Sequence, residues 1–320
     1  MTLELRSEAE ACGKIILLGE HSVVYGHPAL AAGLSRGLIL RARPLDGRGG
    51  AMELSIPAWD LDLRLTADSE HPVARACLEV LAYCDGPVTG WRIEGEAKIP
   101  ARAGLGSSAA LSVALARLAL PEADARTVET VVAASMAGER VFHGDPSGID
   151  SEVAARGGVI AFARGEGVEA VRLRSPLHLV VVPSGIPRQT GVLVAGVRAR
   201  RDRFPQVIEP VLEALGALVV RGRAALEAGD TAALAELIAV AHELLGALGV
   251  SRPPLDALAA HAVGEGALGA KLTGAGGGGC LFALCDNPGA AASVISAMAE
   301  GFPELAASPR TRAFAVEVEA

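Results

Sequence analysis

The chain has 320 residues, a length that favours two domains, and its composition of 51% hydrophobic but only 3% aromatic residues requires an aliphatic core. Its formal net charge of −8 argues against nucleic acid as a partner, because no net positive field is present to attract phosphates. Five cysteines without C-x-x-C spacing argue against a disulfide framework and a zinc site, and favour reduced thiols in a soluble, cytoplasmic protein. Residues 1–12 contain no apolar run, and no stretch of about 18 apolar residues occurs, so we expect neither a signal peptide nor a membrane partner.

The first third of the chain is dominated by strand patterns. Strands are predicted at residues 12–18, 38–43, 51–56, 59–65 and 91–98, with a helix at residues 72–84. Lys14 adjoins the apolar half of the first strand, so its ammonium either reaches solvent or meets an anion in a site. Glu20 and His21 follow this strand, at the end where open sheets place ligands, although a histidine in this place is more often structural.

A glycine-rich loop and an apolar helix follow, in residues 101–115, which read A-R-A-G-L-G-S-S-A-A-L-S-V-A-L. Gly104 and Gly106 allow close backbone approach, and Ser107 and Ser108 are expected to cap the helix. A helix N-terminus attracts anions, so the stretch is either a polyphosphate-binding loop or an ordinary capped turn. A dinucleotide fingerprint is disfavoured because Pro100 interrupts the preceding strand, and a Walker A loop is excluded because no lysine follows the glycines.

A second helix is predicted over residues 127–143, where Glu139 and His143 share one face because they are four residues apart. The turn D-P-S-G-I-D then occupies residues 145–150, before a short polar–apolar element. Asp150 lies at the predicted start of that element. Its carboxylate is therefore either functional or a helix N-cap, and the pattern leaves both open.

The composition changes near residues 174–176, after a predicted hairpin at residues 159–162 and 168–173. A buried strand is predicted at residues 178–183, and helices are predicted at residues 192–204, 205–228, 230–248, 254–264 and 287–301. Residues 270–284 form an apolar strand pattern interrupted by four glycines, which implies close approach of other atoms to the backbone. A final strand is predicted at residues 311–319. The two halves together indicate an α+β fold.

Four motifs occur in order along the chain. They are C-G-K-I-I-L-L-G-E-H-S-V-V-Y-G-H-P-A-L (12–30), I-P-A-R-A-G-L-G-S-S-A-A-L (99–111), G-E-R-V-F-H-G-D-P-S-G-I-D (138–150) and K-L-T-G-A-G-G-G-G-C (271–280). This ordered set resembles the GHMP small-molecule kinase family. The residues after G-E-H, and the loop at 183–198, resemble the members of that family that phosphorylate mevalonate. The chain departs from the family pattern at Cys12, Arg102 and Ser151, where proline, glycine and asparagine are usual or frequent.

The resemblance implies a two-domain GHMP kinase fold. Its N-terminal domain, similar to domain 2 of ribosomal protein S5, would comprise residues 1–175 and bind ATP. Its C-terminal domain, ferredoxin-like, would comprise residues 176–320. The implied reaction is ATP-dependent phosphorylation of the primary hydroxyl of mevalonate, with Mg²⁺ as the cofactor.

The resemblance also implies roles for individual residues. Asp150 is expected to be the general base, and Lys14 to stabilise the developing charge on the γ-phosphate. Ser108 and Glu139 are expected to bind Mg²⁺. The residues expected to bind the nucleotide are Gly104, Leu105, Gly106, Ser107, Ser108 and Ala109, and those expected on the substrate side are Glu20, His21, Ser147, Arg188, Thr190 and Gly276.

Three other interpretations remain open. Another kinase of the family, acting for example on phosphomevalonate, would share all four motifs. A catalytically silent ligand sensor on the same fold is disfavoured because Lys14 and Asp150 are both present. A plain interaction protein would leave the glycine run at 276–279 unexplained. The sequence does not determine the oligomeric state, and a homodimer is left open.

Overall fold

The computed structural model of the chain describes residues 4–45, 50–165 and 167–319. Within these ranges the chain forms two compact units, each discontinuous in sequence: one consists of the described residues of 4–14 and 36–157, the other of the described residues of 15–35 and 158–319. Strands β1 (Glu8–Leu18) and β2 (Ala29–Pro44) pair with each other, and each contributes residues to both units. The boundary expected between residues 175 and 176 refers to the two family domains and stays a prediction.

The first unit combines a sheet with a layer of helices. Its strand order is β4-β3-β5-β2, in which β3 and β5 are parallel and the other pairs antiparallel. Helix α4 packs against α1 and α2, and α5 packs against α2 and α4. The elements of this unit are β3 (Met52–Ile56), β4 (Leu61–Leu65), β5 (Trp91–Ala97), α1 (Pro72–Tyr83), α2 (Ser107–Ala119), α3 (Glu122–Ala125), α4 (Val128–His143) and α5 (Ile149–Arg156).

Helix α2 is the central helix of this unit. It is built from alanine, leucine and valine, and of its residues, all described, Ser107, Ser108 and Arg117 alone escape full burial. A helix that is apolar on every side must be enclosed by its neighbours. Its N-terminus is therefore fixed by the core, with the two serines at the end that is left accessible.

The predicted strand at residues 59–65 is shorter than expected. A single 3-10 turn covers Pro57–Trp59, Asp60 adopts a left-handed conformation, and the strand begins only at Leu61. The indole Nε1 of Trp59 donates a hydrogen bond to the carbonyl oxygen of Ile99 at 2.8 Å. Proline fixes φ in a turn-compatible range and the indole hydrogen bond holds the turn, so Trp59 does not continue the alternating pattern.

The second unit contains a hairpin and an antiparallel sheet with helices. Strands β6 (Val159–Ala163) and β7 (Gly167–Val171) form the hairpin, and β6 pairs antiparallel with the start of β2. The sheet has the order β11-β8-β10-β9, with Cys280 of β10 opposite both Pro183 and Thr273. Its strands are β8 (Leu177–Pro183), β9 (Gly269–Thr273), β10 (Cys280–Cys285) and β11 (Phe314–Val318).

Three helices of the second unit pack on this sheet. Helix α8 packs on β9, α9 on β9 and β10, and α10 on β8, which buries β9 and β10 along their whole length. The helices are α6 (Thr190–Arg203), α7 (Pro205–Ala228), α8 (Thr231–Ala247), α9 (Pro253–Gly264), α10 (Pro288–Gly301) and α11 (Pro303–Ala306). The α+β fold class predicted from the sequence is confirmed.

All five cysteines lie within the described ranges and none of them forms a disulfide; Cys77, Cys84, Cys280 and Cys285 are buried, as the sequence predicts. In the described part of the chain, no helix combines the length and the apolar character needed to cross a bilayer.

Candidate active site

The glycine loop of the first unit ends at the N-terminus of α2. Gly106 is the N-cap residue, with φ +73°, and no described side chain makes a capping hydrogen bond there. The expectation that the serines cap this helix is wrong, because Ser107 and Ser108 are already its first two residues. Glycine takes the N-cap position because it alone adopts this left-handed conformation without strain. The first N–H groups of α2 therefore lack both an intrahelical partner and a side-chain cap, as an anion site requires.

Lys14 and Asp150 form an ion pair beside this loop. The Lys14 Nζ atom lies 2.9 Å from Oδ1 of Asp150, and the lysine side chain is 7% exposed against 31% for the aspartate. The backbone N–H of Lys14 donates to the carbonyl oxygen of Leu105 at 2.9 Å, which ties strand β1 to the glycine loop. Lys14 thus meets an anion instead of reaching solvent. Asp150 is the second residue of α5, whose N-cap is Gly148, so the N-cap alternative for Asp150 is wrong.

Glu139 of α4 is buried next to this pair. Burial, followed by the negative charge of Asp150, raises the pKa of Glu139 to about 7, against the opposing effects of a hydrogen bond from Ser108 and the charge of Lys14. Its Oε1 atom is buried and has no hydrogen-bond partner among the described residues. His143 lies one turn further along α4, with Nε2 at 3.7 Å from Oε2 of Glu139, as their spacing predicts. Glu139 and the three groups that shift its pKa all belong to the first unit; these are Lys14, Ser108 and Asp150.

Ser108 and Glu139 supply oxygen donors suited to a hard cation. The carboxylate keeps one buried oxygen without a hydrogen-bond partner, and because burial raises its pKa, a nearby positive charge would favour its ionised form. In the described ranges no group of three or more His, Cys, Asp or Glu side chains is arranged to hold a metal ion. A site with so few protein ligands suits an ion that keeps water and phosphate oxygens around it, and Mg²⁺ behaves in this way. The donor set therefore fits Mg²⁺.

Arg102, one of the departures from the family pattern, has an unusual backbone conformation. It adopts φ +59° in the turn that leads into the glycine loop, and its backbone N–H donates to Oγ of Ser107 at 3.3 Å. Glycine is the residue best suited to this conformation. Arg102 thus adopts with some strain a backbone conformation that glycine would adopt freely.

The second unit contains the turn formed by residues 19–21, the G-E-H sequence. Glu20 is buried in an ion pair with Lys271 of β9, so in this conformation its carboxylate has a protein partner. Burial raises the pKa of Glu20, and the ammonium of Lys271 opposes that rise. His21 adopts φ +61°, its Nε2 lies 3.1 Å from the carbonyl oxygen of Ala275, and burial lowers its pKa.

The glycine run after β9 is approached closely by backbone atoms of its own unit. A Cβ at Gly276, which has φ +77°, would overlap the carbonyl oxygen of Val250, and one at Gly278 would overlap that of Ile186. The prediction that other atoms approach this backbone is confirmed. Gly276 is therefore required by packing, and its role towards a substrate stays a prediction.

The other substrate-side residues lie on loops and a helix start. Arg188 follows β8 and is half-buried, with its guanidinium next to Gly274. Thr190 is the first residue of α6 and is exposed. Ser147 is exposed in the loop before α5, in the first unit. Their contacts with a substrate stay predictions.

Lys271 is the residue that the sequence analysis missed. It lies in β9, where every residue is buried, and its ammonium is 5.2 Å from the centroid of the Phe282 ring. The signal was present, because a lysine inside an otherwise apolar strand pattern needs an anionic partner. The sequence could not name that partner, since Glu20 lies 251 positions away.

Comparisons with known proteins agree with this arrangement. The family model of the GHMP kinases N terminal domain matches residues 72–158, and that of the GHMP kinases C terminal domain matches residues 223–304. Mevalonate kinase of Pyrococcus abyssi is 36% identical over 310 residues, which cover 91% of each chain. Mevalonate kinase of Aeropyrum pernix is 36% identical over 286 residues, 87% of this chain and 88% of the relative. The crystal structure of L. major mevalonate kinase in complex with R-mevalonate superposes with a TM-score of 0.85 at 27% identity, covering 100% of this chain and 98% of that one. The chain is therefore a member of the GHMP kinase family, and mevalonate kinases are its relatives over nearly its whole length.

Proposed function

We propose that this protein catalyses the ATP-dependent phosphorylation of the primary hydroxyl of mevalonate, giving 5-phosphomevalonate and ADP. The observation that carries the proposal is the Lys14–Asp150 pair, held at 2.9 Å beside the uncapped N-terminus of α2. The relatives that match nearly the whole chain are named mevalonate kinases, which supports mevalonate as the acceptor.

The N-terminus of α2 is assigned to the triphosphate of ATP. Residues 104–106 and the first turn of α2 present backbone N–H groups and the positive end of the helix dipole. Positive φ at Gly104 and Gly106 lets the backbone approach a phosphate without a side chain in between. Leu105 is buried and Ala109 lies in the buried part of α2, so both anchor the loop in the core, whereas Ser107 and Ser108 are only half-buried.

Asp150 is assigned as the general base and Lys14 as the group that stabilises charge. In the reaction, the substrate hydroxyl oxygen forms a bond to the γ-phosphorus, the bond from that phosphorus to the β,γ-bridging oxygen breaks, and ADP leaves. The hydroxyl proton passes to a carboxylate oxygen of Asp150. Lys14 keeps the carboxylate oriented through the 2.9 Å contact and offers its positive charge to the transferring phosphoryl group.

Magnesium is proposed as the cofactor, held by the Ser108 hydroxyl and the Glu139 carboxylate. When bound, it neutralises charge on the phosphate oxygens and helps to hold them in line. The buried, unpartnered Oε1 of Glu139 supports this assignment. Turnover should be lost in EDTA and restored by added Mg²⁺.

Substrate recognition is assigned to five residues of the second unit and to Ser147 of the first. Arg188 is proposed to bind the mevalonate carboxylate, because a guanidinium can donate two parallel hydrogen bonds to it. His21 and Thr190 are proposed to contact the remaining polar groups. Ser147, Gly276 and Glu20 are proposed to shape the substrate region, Glu20 indirectly because Lys271 already occupies its carboxylate.

The proposed substrate is tested with a panel of alcohols and coupled detection of ADP. Mevalonate, phosphomevalonate, galactose and homoserine would each be supplied with ATP and Mg²⁺ at equal concentrations. We expect kcat/KM for mevalonate to exceed that for every other alcohol by at least about a hundredfold. Preference for phosphomevalonate would overturn the substrate assignment, and ATP binding without turnover of any alcohol would favour the silent sensor. A homodimer and a cytoplasmic location are also proposed, and light scattering of the purified protein tests the former.

A further inference from the structure

Lysine is rare in this chain, and one of its lysines is wholly buried. Of the 29 basic Lys and Arg residues, three are lysines, namely Lys14, Lys98 and Lys271. Lys14 belongs to the proposed catalytic pair and Lys98 lies on the surface, whereas Lys271 has no exposed side-chain area. The buried ammonium of Lys271 therefore has no role in any proposed step of the reaction.

The ion pair of Lys271 with Glu20 is enclosed by the protein. The two side chains are 0% and 1% exposed, and the ammonium also lies over the Phe282 ring. Removing two charges from water costs several kcal/mol per ion, so a buried pair is weak support for stability, and apolar replacements of such pairs are often as stable. A role in fixing one conformation is the better-supported use of a pair of this kind.

The pair is connected to the turn that carries His21. Glu20 and His21 are neighbours in sequence, and they contact β9 and the glycine run that follows it. The Glu20 carboxylate pairs with Lys271 of β9, and Nε2 of His21 lies 3.1 Å from the carbonyl oxygen of Ala275. His21 has φ +61°, a conformation that is strained for a non-glycine residue and persists only where surrounding contacts impose it.

We propose that Lys271 is a positioning residue. Through Glu20 it holds residues 19–21 against β9 and the glycine run that follows it, and so keeps His21 in its strained, substrate-binding conformation. The inference deepens the proposed function, since it rests on His21 being a substrate ligand. Lys271 touches neither substrate nor nucleotide in this account. Lys271 should therefore increase the affinity for the acceptor alcohol and leave the affinity for ATP unaffected.

The kinetic test compares Lys271→Met with the double variant Glu20→Gln/Lys271→Met. The single variant leaves Glu20 buried without a counter-charge and should unfold at lower urea, whereas the double variant removes both charges and should regain most of the wild-type midpoint. We expect KM for mevalonate to rise at least tenfold in both variants, with KM for ATP changing less than twofold. KM does not depend on the fraction of folded enzyme. If the single variant fails to fold, the double variant alone decides the outcome.

The matched control is Lys98→Met, which removes an exposed lysine 3.9 Å from Glu96 and should leave both KM values and the unfolding midpoint unchanged. A double variant with wild-type KM for mevalonate would overturn the inference, because the pair would then serve stability only.

A second readout needs no substrate. Proton NMR would follow the His21 ring, assigned with His21→Asn among the seven histidines. In the wild type, burial lowers the pKa of His21, and in the double variant that pKa should move up towards its ordinary value as the turn is released. If wild-type protein does not phosphorylate mevalonate, the proposed substrate is wrong, and this titration still decides the role of Lys271: an unchanged pKa of His21 overturns it.

Discussion

The side chain of Lys14 passes through the space that a Cβ atom at Gly106 would occupy. A Cβ built on Gly106 would lie 2.7 Å from Cγ of Lys14, far inside van der Waals contact. The backbones are also joined, because the Lys14 N–H donates to the Leu105 carbonyl at 2.9 Å. The position of the proposed catalytic lysine therefore depends on a residue that contributes no side chain.

Gly106→Ala should lower kcat about a hundredfold, since the added methyl group displaces Lys14 from Asp150 and small misplacements of reacting groups have effects of this size. It should also destabilise the protein by about 1–2 kcal/mol, the cost of a left-handed alanine. Steady-state kinetics and urea unfolding measure the two effects.

Gly90→Ala is the matched control for backbone strain. Gly90 has φ +78°, but no described atom lies within 4 Å of a Cβ placed there. The control should lose similar stability and keep its kcat. Equal kcat values for the two alanine variants would contradict the steric link between Gly106 and Lys14.

Asp150→Asn should lower kcat by about three orders of magnitude or more, because an amide cannot accept the hydroxyl proton. Its size is nearly unchanged and its side chain is partly exposed, so ATP affinity, measured by equilibrium titration, should stay within about threefold of the wild-type value. Asp124→Asn, an exposed substitution in α3, should behave as the wild type. Wild-type turnover in the Asp150→Asn variant would exclude Asp150 as the base.

The sequence predicted the fold well where periodic patterns were long. Helix α7 begins and ends where its pattern does, and α4 is one residue shorter than predicted because Thr127 is its N-cap. The strands were less accurate. Strand β2 runs over Ala29–Pro44, whereas only residues 38–43 were predicted, because its first half is buried and lacks alternation.

The sequence predicted which residues form the candidate site better than it predicted their local backbone geometry. The family motifs identified Lys14, Glu139 and Asp150 as candidates, and the structure brings these side chains together. Helix caps depend on backbone conformation, and glycines with positive φ are the N-cap residues of both α2, where serine caps were expected, and α5, where a cap at Asp150 had been left open. The Glu20–Lys271 pair was not predictable, since local patterns carry no information on which distant residues meet.

Lys14→Met should lower kcat by about a thousandfold while raising KM for ATP less than about tenfold. The methionine keeps most of the side-chain volume but removes the charge that faces Asp150 and, in the proposed mechanism, the transferring phosphoryl group. Steady-state kinetics with saturating mevalonate separate the two parameters. A raised KM for ATP with unchanged kcat would make Lys14 a binding residue only.

Glu139→Gln should stabilise the protein at pH 8 in the presence of EDTA. The pKa of Glu139 is about 7 in the folded protein, above its ordinary value of 4.5, so the folded state holds this proton more tightly than the unfolded state does. The free energy of unfolding contributed by this group therefore falls as the pH rises from about 4.5 to about 7, and the full penalty is present above pH 7. Glutamine does not titrate and escapes the penalty.

The free energy of unfolding of Glu139→Gln should thus exceed that of the wild type only slightly at pH 4.5 and by about 3 kcal/mol at pH 8, as measured by urea unfolding. Added Mg²⁺ should stabilise the wild type at pH 8 by binding the ionised carboxylate, and should stabilise the variant less. Glu122→Gln, an exposed change in α3, should differ from the wild type by less than about 0.5 kcal/mol at both pH values. A difference between Glu139→Gln and the wild type that does not vary with pH would show that Glu139 is not held in a charge-disfavouring environment, and would remove the main structural support for a cation site at this carboxylate.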